Sequence, residues 1–274
     1  MSEENSFFKD ISQSIKVPAD VTKAVLLPPA QQIGKGLEDI FYLVFAPLAK
    51  KRARAEQNIE DFKREIAVEV AKIDNDDIVE PKLAVVGPAL ESSKYYIEEE
   101  TIRVMFAKLI AASVNKEYAN STVPAFVEII KQLSSFDAQI FNTLFKEQIR
   151  DKSTSPKIGA GRIRVQNKTG GKNIVETFYP FPELNIKNLN QYSASLDNLV
   201  RLGLIKLTHG VAYTNKECYE KLYNHNLLNE LKKKQDLKNI ERIKKGLRPS
   251  EIIFVESIWK VTTFGMEFGK CCLK

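Results

Sequence analysis

The sequence is poor in the residues that build disulfide frameworks and metal sites. Its 274 residues include three cysteines and two histidines. An odd number of cysteines, with Cys271 and Cys272 adjacent, does not suit a disulfide framework and is typical of a reducing compartment. The adjacent pair also lacks a second pair at zinc-ligand spacing. We therefore expect no disulfide, no metal site and no cofactor.

Long apolar runs are missing as well. The longest extends from Ile40 to Ala49, and it is shorter than the roughly 20 residues that a helix needs to cross a bilayer. The N-terminal stretch "MSEENSFFKD" is acidic before its first apolar residues, unlike a secretory signal peptide. These two features predict a cytoplasmic protein.

The motifs of the common catalytic centres are also missing. The sequence contains no G-x-S-x-G, and His209 and His225 are too few to supply an ordinary general base. The "GAGR" at 159–162 could wrap a phosphate, but no Walker or Rossmann pattern surrounds it, and we interpret it as a flexible loop. Glu91 and the acidic run 98–100 are more typical of a helix start than of a metal or hydrolase site. We therefore expect that the protein is not an enzyme.

Helical periodicity dominates the first half of the chain. A stripe of apolar residues at steps of three and four indicates one long amphipathic helix, which serves either as core or as the seam of a homo-oligomer through residues 55–73. Shorter apolar patterns predict helices near 83–90, 102–113 and 126–133, and a fourth that Ser134 caps together with Asp137. The stripe consists of Ala55, Ile59, Phe62, Ile66, Val70 and Ile73.

The C-terminal half has the element order of a winged helix. A helix is expected to end at Gly203, followed by the strand "LIKLTHGVAYT", a long excursion, the strand "IIFVESIWKVTTF" and a last helix that Thr262 or Thr263 caps. The predicted fold class is mainly α. It comprises a helical region, residues 1–133, and a winged-helix-like module, residues 134–274, with a small β-hairpin and a long helical wing insertion.

Two insertions interrupt this module, at 151–180 and 215–250. The first is rich in glycine, serine and lysine over 151–173. We interpret it as a mobile surface excursion, within which a hairpin could turn at Gly170 and Gly171. The second places leucines among lysines, and we predict that it is helical rather than a slack loop.

Positive charge is concentrated in the second insertion. The chain has a net charge of +6, and the segment from Glu230 to Arg248 alone carries +5. Such a cluster suits phosphate contacts, which give affinity without sequence choice, although a solvated helix surface is the alternative. The preceding helix offers few base-reading side chains, so sequence-specific DNA reading is not favoured. The candidate nucleic-acid-binding residues are Lys232, Lys233, Lys234, Lys238, Arg242, Lys244, Lys245 and Arg201.

Several stretches resemble a known bacterial family. They are the "EP" turn at Glu80 and Pro81, the run "FVEIIKQLSSFDA", and the pair "NLVRLGLI" and "TTFG". Over roughly residues 20–274 the chain resembles the abortive infection protein alpha family. The resemblance implies a role in stopping phage spread by killing or arresting the infected cell. It carries no catalytic residues to this chain.

The leading hypothesis is therefore an anti-phage protein that acts by binding a phage or host component. A protein is the first partner class, and nucleic acid bound by the basic wing is the second. The alternative is a membrane-active effector, since residues 37–54 join an apolar patch to cations as interfacial helices do. A buried core helix is the plainer interpretation of that segment.

Overall fold

The computed structural model describes residues 40–41, 43–45, 53–150 and 159–273. The contacts divide the chain into two compact units. One unit takes the residues up to Ala138 together with Glu267–Lys274, and the other takes Gln139–Met266. The domains expected from the sequence, 1–133 and 134–274, stay a prediction.

The first unit is built from helices whose apolar faces were visible in the sequence. Glu100 starts one of them, which suits the interpretation of the acidic run as a helix start. Another has Pro124 in its first turn, where the missing N–H costs nothing. The helices are α1 (Ala53–Val70), α2 (Leu83–Ser93), α3 (Glu100–Ser113), α4 (Pro124–Gln132) and α5 (Ser135–Arg150), whose first residues belong to this unit.

The stripe of α1 contributes to the core of the first unit. Ile59, Phe62 and Ile66 are buried, and α1 packs on α3. Beside the stripe, Arg103 of α3 donates three hydrogen bonds to Glu65 of α1, from Nε and Nη2 at 2.7–3.1 Å. Its Nη1 donates to the Ile97 carbonyl at 2.9 Å. The apolar stripe and one ion pair therefore hold α1 against α3.

The second unit is built around a four-stranded antiparallel sheet. The strand order is β2-β1-β4-β3, and all three neighbouring pairs run antiparallel. The sheet is curled into a half-barrel. Its strands are β1 (Ala160–Asn167), β2 (Gly170–Phe178), β3 (Ile205–His209) and β4 (Glu251–Val261), and its helices are α6 (Leu189–Arg201), α7 (Glu220–Tyr223) and α8 (Asn226–Lys244).

The predicted fold class is wrong. The chain is mixed α/β. It has a four-stranded sheet, whereas the sequence predicted a mainly α winged helix with a small β-hairpin. The two strands predicted for this hairpin do pair with each other, as β3 and β4. The error lies at 151–180, because part of the expected surface excursion forms β1 and β2. Strand β1 pairs on both sides, so the "GAGR" motif leads into the sheet interior and is not a flexible loop.

The hairpin between β1 and β2 turns two residues earlier than expected. Lys168 and Thr169 form its tip, and the Asn167 side chain accepts hydrogen bonds from Thr169 N at 2.9 Å and Oγ1 at 2.7 Å. Gly170 follows at φ 151°, a backbone conformation that suits glycine. The Asn167 side chain thus closes a hairpin turn that the sequence indicated only through Gly170 and Gly171.

The junction of α6, β3 and the last helix follows the sequence prediction. Gly203 has φ 72°, and Leu204 N donates to the Leu199 carbonyl at 3.0 Å, which closes α6 with a left-handed residue. Thr262 caps α9 (Thr263–Cys272), because its Oγ1 accepts from Gly265 N at 2.8 Å. A Cβ on Gly265 would clash with the Leu204 carbonyl oxygen. The predicted end of α6 at Gly203 is confirmed, and of the two predicted caps of the last helix the structure uses Thr262.

The two faces of the sheet carry different helices. Successive residues of a strand point to opposite faces. On one face Phe254 of β4 contacts Phe178 and Tyr223, beside α7 and α8. On the other face Asp197 of α6 accepts a hydrogen bond from Thr177. We call these the α8 face and the α6 face.

A candidate partner-binding helix

Seven of the eight cations that the sequence predicted to bind nucleic acid lie on α8, with Lys245 at its C-cap. Six of the seven are exposed. Arg242 is half-buried, and its Nε donates to the Arg248 carbonyl at 2.9 Å, so it closes the helix end. The exposed side chains are Lys232, Lys233, Lys234, Lys238, Lys244 and Lys245.

These six lysines differ from several other helical lysines in having no acidic partner. Lys63, Lys72 and Lys131 each form an ion pair with a glutamate three residues earlier, at 2.6–2.9 Å. Within the described residues, none of the six lysines lies within 4.0 Å of a carboxylate oxygen. Their charge is therefore uncompensated at close range and projects into solvent.

A row of exposed apolar residues lies on the same helix. Leu237 is 67% exposed, Ile240 53% and Ile243 60%, and Leu247 beyond the helix end is 51% exposed. Leu237, Ile240 and Ile243 are spaced by three residues, which places them on one side of α8. The opposite side is buried through Leu228 and Gln235. Isolated exposed leucines are ordinary, but a row on one helix side marks a contact surface. We call these four residues the apolar row.

The C-terminal end of α8 is held firmly in place. Gly246 has φ 69°, Leu247 N donates to the Arg242 carbonyl at 2.8 Å, and Gly246 N donates to that of Ile243 at 2.9 Å. The Asn239 amide pairs with the backbone of Ser250, accepting from its N at 2.9 Å and donating to its O at 2.8 Å. The apolar row is therefore presented on a fixed helix and not on a loose segment.

A polar cleft of about 600 Å³ lies between α8, the β1–β2 hairpin tip and the start of β4. Its size falls within the range of ligand pockets. Lysines and acids are equally represented in its lining, so the cleft carries little net charge. Its polar side chains include Gln166, Asn167, Lys168, Lys232, Asp236 and Glu251.

Arg201, the eighth predicted residue, belongs to a different surface. It lies on α6, where its Nη2 donates to Asn198 Oδ1 at 2.7 Å. Helix α6 covers the α6 face at β2 and β3, whereas α8 packs on β4 from the α8 face. The structure therefore does not bring Arg201 together with the lysines of α8.

The apolar patch at 37–54 falls largely outside the described residues. Of the part that is described, Phe41 and Phe45 are buried, with ring centroids 4.4 Å apart, and Leu43 is 75% exposed. Within the described ranges no helix combines the length and the apolar character that crossing a membrane requires.

The cysteines are free thiols with raised pKa values. All three are buried. Burial raises the pKa of Cys271 to about 12, and it raises the pKa of Cys272 well above its ordinary value. In the described part of the chain no three histidine, cysteine, aspartate or glutamate side chains are grouped so that they could hold a metal ion.

Sequence analysis missed a polar cluster on the α6 face. Its members, Arg162 of β1, Glu176 of β2, Ser257 of β4 and His209 of β3, come from four strands. His209 Nδ1 lies 3.0 Å from Ser257 Oγ, and Arg162 Nε lies 3.5 Å from Glu176 Oε2. No sequence spacing signals this cluster, because sheet pairing alone assembles it. The apolar row, by contrast, had a visible signal in its three-residue spacing.

Comparison with known proteins gives one match. Searches of curated proteins and of solved structures found no similar protein. A family model described as abortive infection alpha matches residues 54–272, a range that includes the whole sheet and, apart from Ala53, the helices α1 to α9. The chain therefore belongs to the abortive infection alpha family.

Proposed function

We propose that the protein acts in abortive infection by binding an acidic protein surface, of the phage or of the host, through α8. The observation that carries the proposal is the apolar row, flanked on the same helix by six lysines without acidic partners. Family membership supports the process, and the helix supports the mode of action. Binding at α8 requires no catalytic group.

The lysines supply attraction at a distance. The segment from Glu230 to Arg248 carries +5 of the chain's net +6, so its field draws acidic surfaces and raises the association rate. A second copy of this chain is a poor occupant, because it would bring two strongly positive segments together. Charge complementarity therefore selects an acidic partner.

The apolar row supplies the short-range contacts. Apolar residues three positions apart on one helix side, such as Leu237 and Ile240 or Ile240 and Ile243, can serve as the anchors that a helix inserts into a partner's groove. Asp236 precedes Ile240 by four residues and so neighbours it on the same side. Both an acid and aliphatic side chains at this place would oppose a wall of phosphates. The combination favours a protein over nucleic acid and over an anionic membrane.

The test separates the two kinds of contact. One variant reverses charge (Lys232→Glu, Lys233→Glu, Lys234→Glu), and a second, the apolar-row variant, replaces the three members of the row that lie within α8 (Leu237→Ser, Ile240→Ser, Ile243→Ser). Partners are captured from phage-infected cells, and the captured protein is then purified and its affinity measured. We expect both variants to weaken binding at least about tenfold, which corresponds to about 1.4 kcal/mol.

The control variant is Lys206→Glu, Lys260→Glu, which changes two exposed lysines paired across β3 and β4. They lie near the last residue of β4, whereas Asn239 holds α8 at Ser250, before its first residue. It should bind as the unchanged protein does. Equal affinity of the apolar-row variant and the unchanged protein would overturn the proposal. If the control variant also bound the captured protein more weakly, the contact would be nonspecific and driven by charge, and this result would likewise count against the proposal.

Nucleic acid is the second candidate, favoured by the six uncompensated lysines. In that case charge reversal at Lys232, Lys233 and Lys234 weakens DNA or RNA binding and lowers its salt dependence, whereas serine in the apolar row leaves both unchanged. Unaltered nucleic-acid binding by the charge-reversal variant would remove this candidate. Flotation with anionic vesicles serves as a third arm and distinguishes a lipid surface from both.

A further inference from the structure

The polar cleft beside α8 contains a buried side chain with an unused hydrogen-bond acceptor. Gln235 is 8% exposed and lines the cleft. Its Nε2 donates to Asn239 Oδ1 at 3.1 Å, whereas its Oε1 accepts no hydrogen bond within the described ranges. Most polar groups of buried side chains are hydrogen-bonded. An unused acceptor on such a side chain, at the wall of a cleft, is therefore a place for a donor that a ligand brings.

The orientation of the Gln235 amide is fixed by the backbone. Asn239 Oδ1 accepts from Ser250 N at 2.9 Å, and Asn239 Nδ2 donates to Ser250 O at 2.8 Å. Asn239 therefore cannot exchange its amide oxygen and nitrogen without losing both bonds. Because Asn239 presents its oxygen, Gln235 must present its nitrogen, and the Gln235 oxygen is left as a preset acceptor.

A preset donor lies on the hairpin tip. Asn167 lines the cleft, and its Oδ1 accepts hydrogen bonds from Thr169 N and Oγ1. The backbone donor decides which end of the Asn167 amide is the oxygen. Its Nδ2 is left as a donor, and it forms no hydrogen bond with any residue that the structure describes. The cleft thus has a fixed acceptor on α8 and a fixed donor on the hairpin.

Each preset group has a charged neighbour of the same kind. Asp236 follows the acceptor on α8, Lys168 follows the donor on the hairpin tip, and both line the cleft. In the part of the chain that the structure describes, neither lies within 4.0 Å of an opposite charge. Lys232 and Glu251 complete the charged lining with one charge of each sign. The cleft therefore has an acceptor pair on one side and a donor pair on the other.

We propose that the cleft binds a short peptide with free ends. The N-terminal ammonium has three donors, which Gln235 Oε1 and the Asp236 carboxylate accept. The C-terminal carboxylate is acceptor-only, and Asn167 Nδ2 and the Lys168 ammonium donate to it. The cleft volume of about 600 Å³ is that of a pocket for a drug-sized ligand. It favours a peptide of a few residues over a single amino acid.

This proposal goes beyond the function proposed for α8. The four residues assigned to the peptide are unchanged in the charge-reversal and apolar-row variants. The measurement uses the purified chain and a synthetic peptide, so it needs no phage or host partner. Failure of the α8 proposal would leave this one intact, and the reverse also holds.

The test is a titration of the full chain with trialanine, followed by calorimetry and by the side-chain amide signals of Asn167 and Gln235. Acetylation of the peptide's N-terminus removes the ammonium, and amidation of its C-terminus removes the carboxylate. We expect each change to weaken binding at least about tenfold, because each removes hydrogen bonds to a charged group. Free alanine should bind more weakly than trialanine, and equal binding would overturn the assignment to a peptide.

Three variants assign the two ends. Asp236→Asn is expected to weaken binding of trialanine about tenfold but to leave binding of the acetylated peptide almost unchanged, because the ammonium is already absent. Lys168→Gln should show the same pattern with the amidated peptide. Asn167→Asp keeps the acceptor for Thr169 and removes the donor, so it should weaken binding of trialanine as well.

The controls are Glu230→Gln and Lys172→Gln, which remove an exposed acid of α8 and an exposed cation of β2 outside the cleft lining. Both should leave the dissociation constant unchanged. The proposal fails if trialanine shifts neither side-chain amide signal, or if a peptide blocked at both ends binds as tightly as trialanine. It also fails if Glu230→Gln weakens binding as much as Asp236→Asn, since the attraction would then be general.

Discussion

At the scale of single residues, the pair of Glu65 and Arg103 is the clearest case of charge inside the first unit. The Arg103 side chain is 8% exposed and that of Glu65 19%. The hydrogen bonds with Glu65 raise the pKa of Arg103, so the guanidinium stays charged in a site with little water. A buried ion pair adds modest stability while intact, but the loss of one partner leaves a costly unpaired charge.

We therefore expect Glu65→Gln to lower the free energy of unfolding by about 3–5 kcal/mol. The matched control is Glu60→Gln on the same helix, which breaks the exposed pair of Glu60 and Lys63 and should cost less than about 1 kcal/mol. Urea denaturation measures both. Equal, small losses would show that the Arg103 guanidinium reaches water when its partner is removed.

The buried thiols add a pH dependence at the same scale. The unfolded chain loses the Cys271 proton near the ordinary value of 9.0, whereas the folded chain keeps it up to about 12. Between these values the unfolded state binds fewer protons, so stability falls as the pH rises. The loss is about 1.4 kcal/mol per pH unit and thiol.

This slope is measured by urea denaturation at pH 8 and pH 10.5. Other groups titrate in the same range, so the comparison that counts is with Cys271→Ala, whose decline between the two pH values should be shallower by about 2 kcal/mol. Identical declines in the two proteins would mean that the Cys271 thiol is ionised as readily in the folded as in the unfolded chain.

At the scale of elements, Thr262 joins three of them. Its Oγ1 donates to the Gly203 carbonyl at 2.6 Å and accepts from Gly265 N at 2.8 Å, and its own N donates to Leu204 O at 3.0 Å. One hydroxyl thus serves the end of α6 and the start of α9, at the end of β4. The close approach of Gly265 to the Leu204 carbonyl oxygen depends on this arrangement.

We expect Thr262→Ala to destabilise the protein by about 1–2 kcal/mol, the usual cost of losing a helix N-cap with its hydroxyl. Thr262→Ser retains the hydroxyl and should recover most of the loss. Thermal denaturation of the two variants checks this. If serine and alanine were equally destabilising, the methyl group and not the hydroxyl would hold the junction.

At the scale of the whole molecule, charge and exposed apolar surface coincide on one helix. Most of the net charge lies in the segment from Glu230 to Arg248, and the apolar row is on the same segment. The helix is fixed to the sheet by Asn239. A surface of this kind affects contact with partners more than it affects folding.

We predict that the charge-reversal and apolar-row variants of α8 lose phage restriction in cells while their melting temperatures change little. Plating efficiency of a restricted phage should rise at least about tenfold with either variant, following a tenfold loss of affinity. Lys206→Glu, Lys260→Glu, which reverses two lysines outside α8, is the control and should restrict phage normally. Full restriction by both α8 variants would exclude α8 from the function.

The sequence alone determined the helices of the first unit, the end of α6 at Gly203 and the N-cap of α9 at Thr262 or its neighbour. These features depend on residues within a few positions of one another, such as the spacing of Ile59, Phe62 and Ile66 or a glycine after the last turn. It also located the cations of α8. It did not determine whether Leu237, Ile240 and Ile243 face the core or solvent, because that depends on which side of α8 packs on the sheet.

Only the tertiary structure decided that β1 and β2 complete a sheet with β4 and β3. The stretch from 160 to 178 is polar and rich in glycine, so its own residues suggested only a hairpin within a surface excursion. Pairing with Glu251–Val261 makes that hairpin part of the sheet. The same pairing brings Arg162, Glu176 and His209 together. Residues so far apart in the chain become neighbours through backbone hydrogen bonding between strands, which no local pattern records.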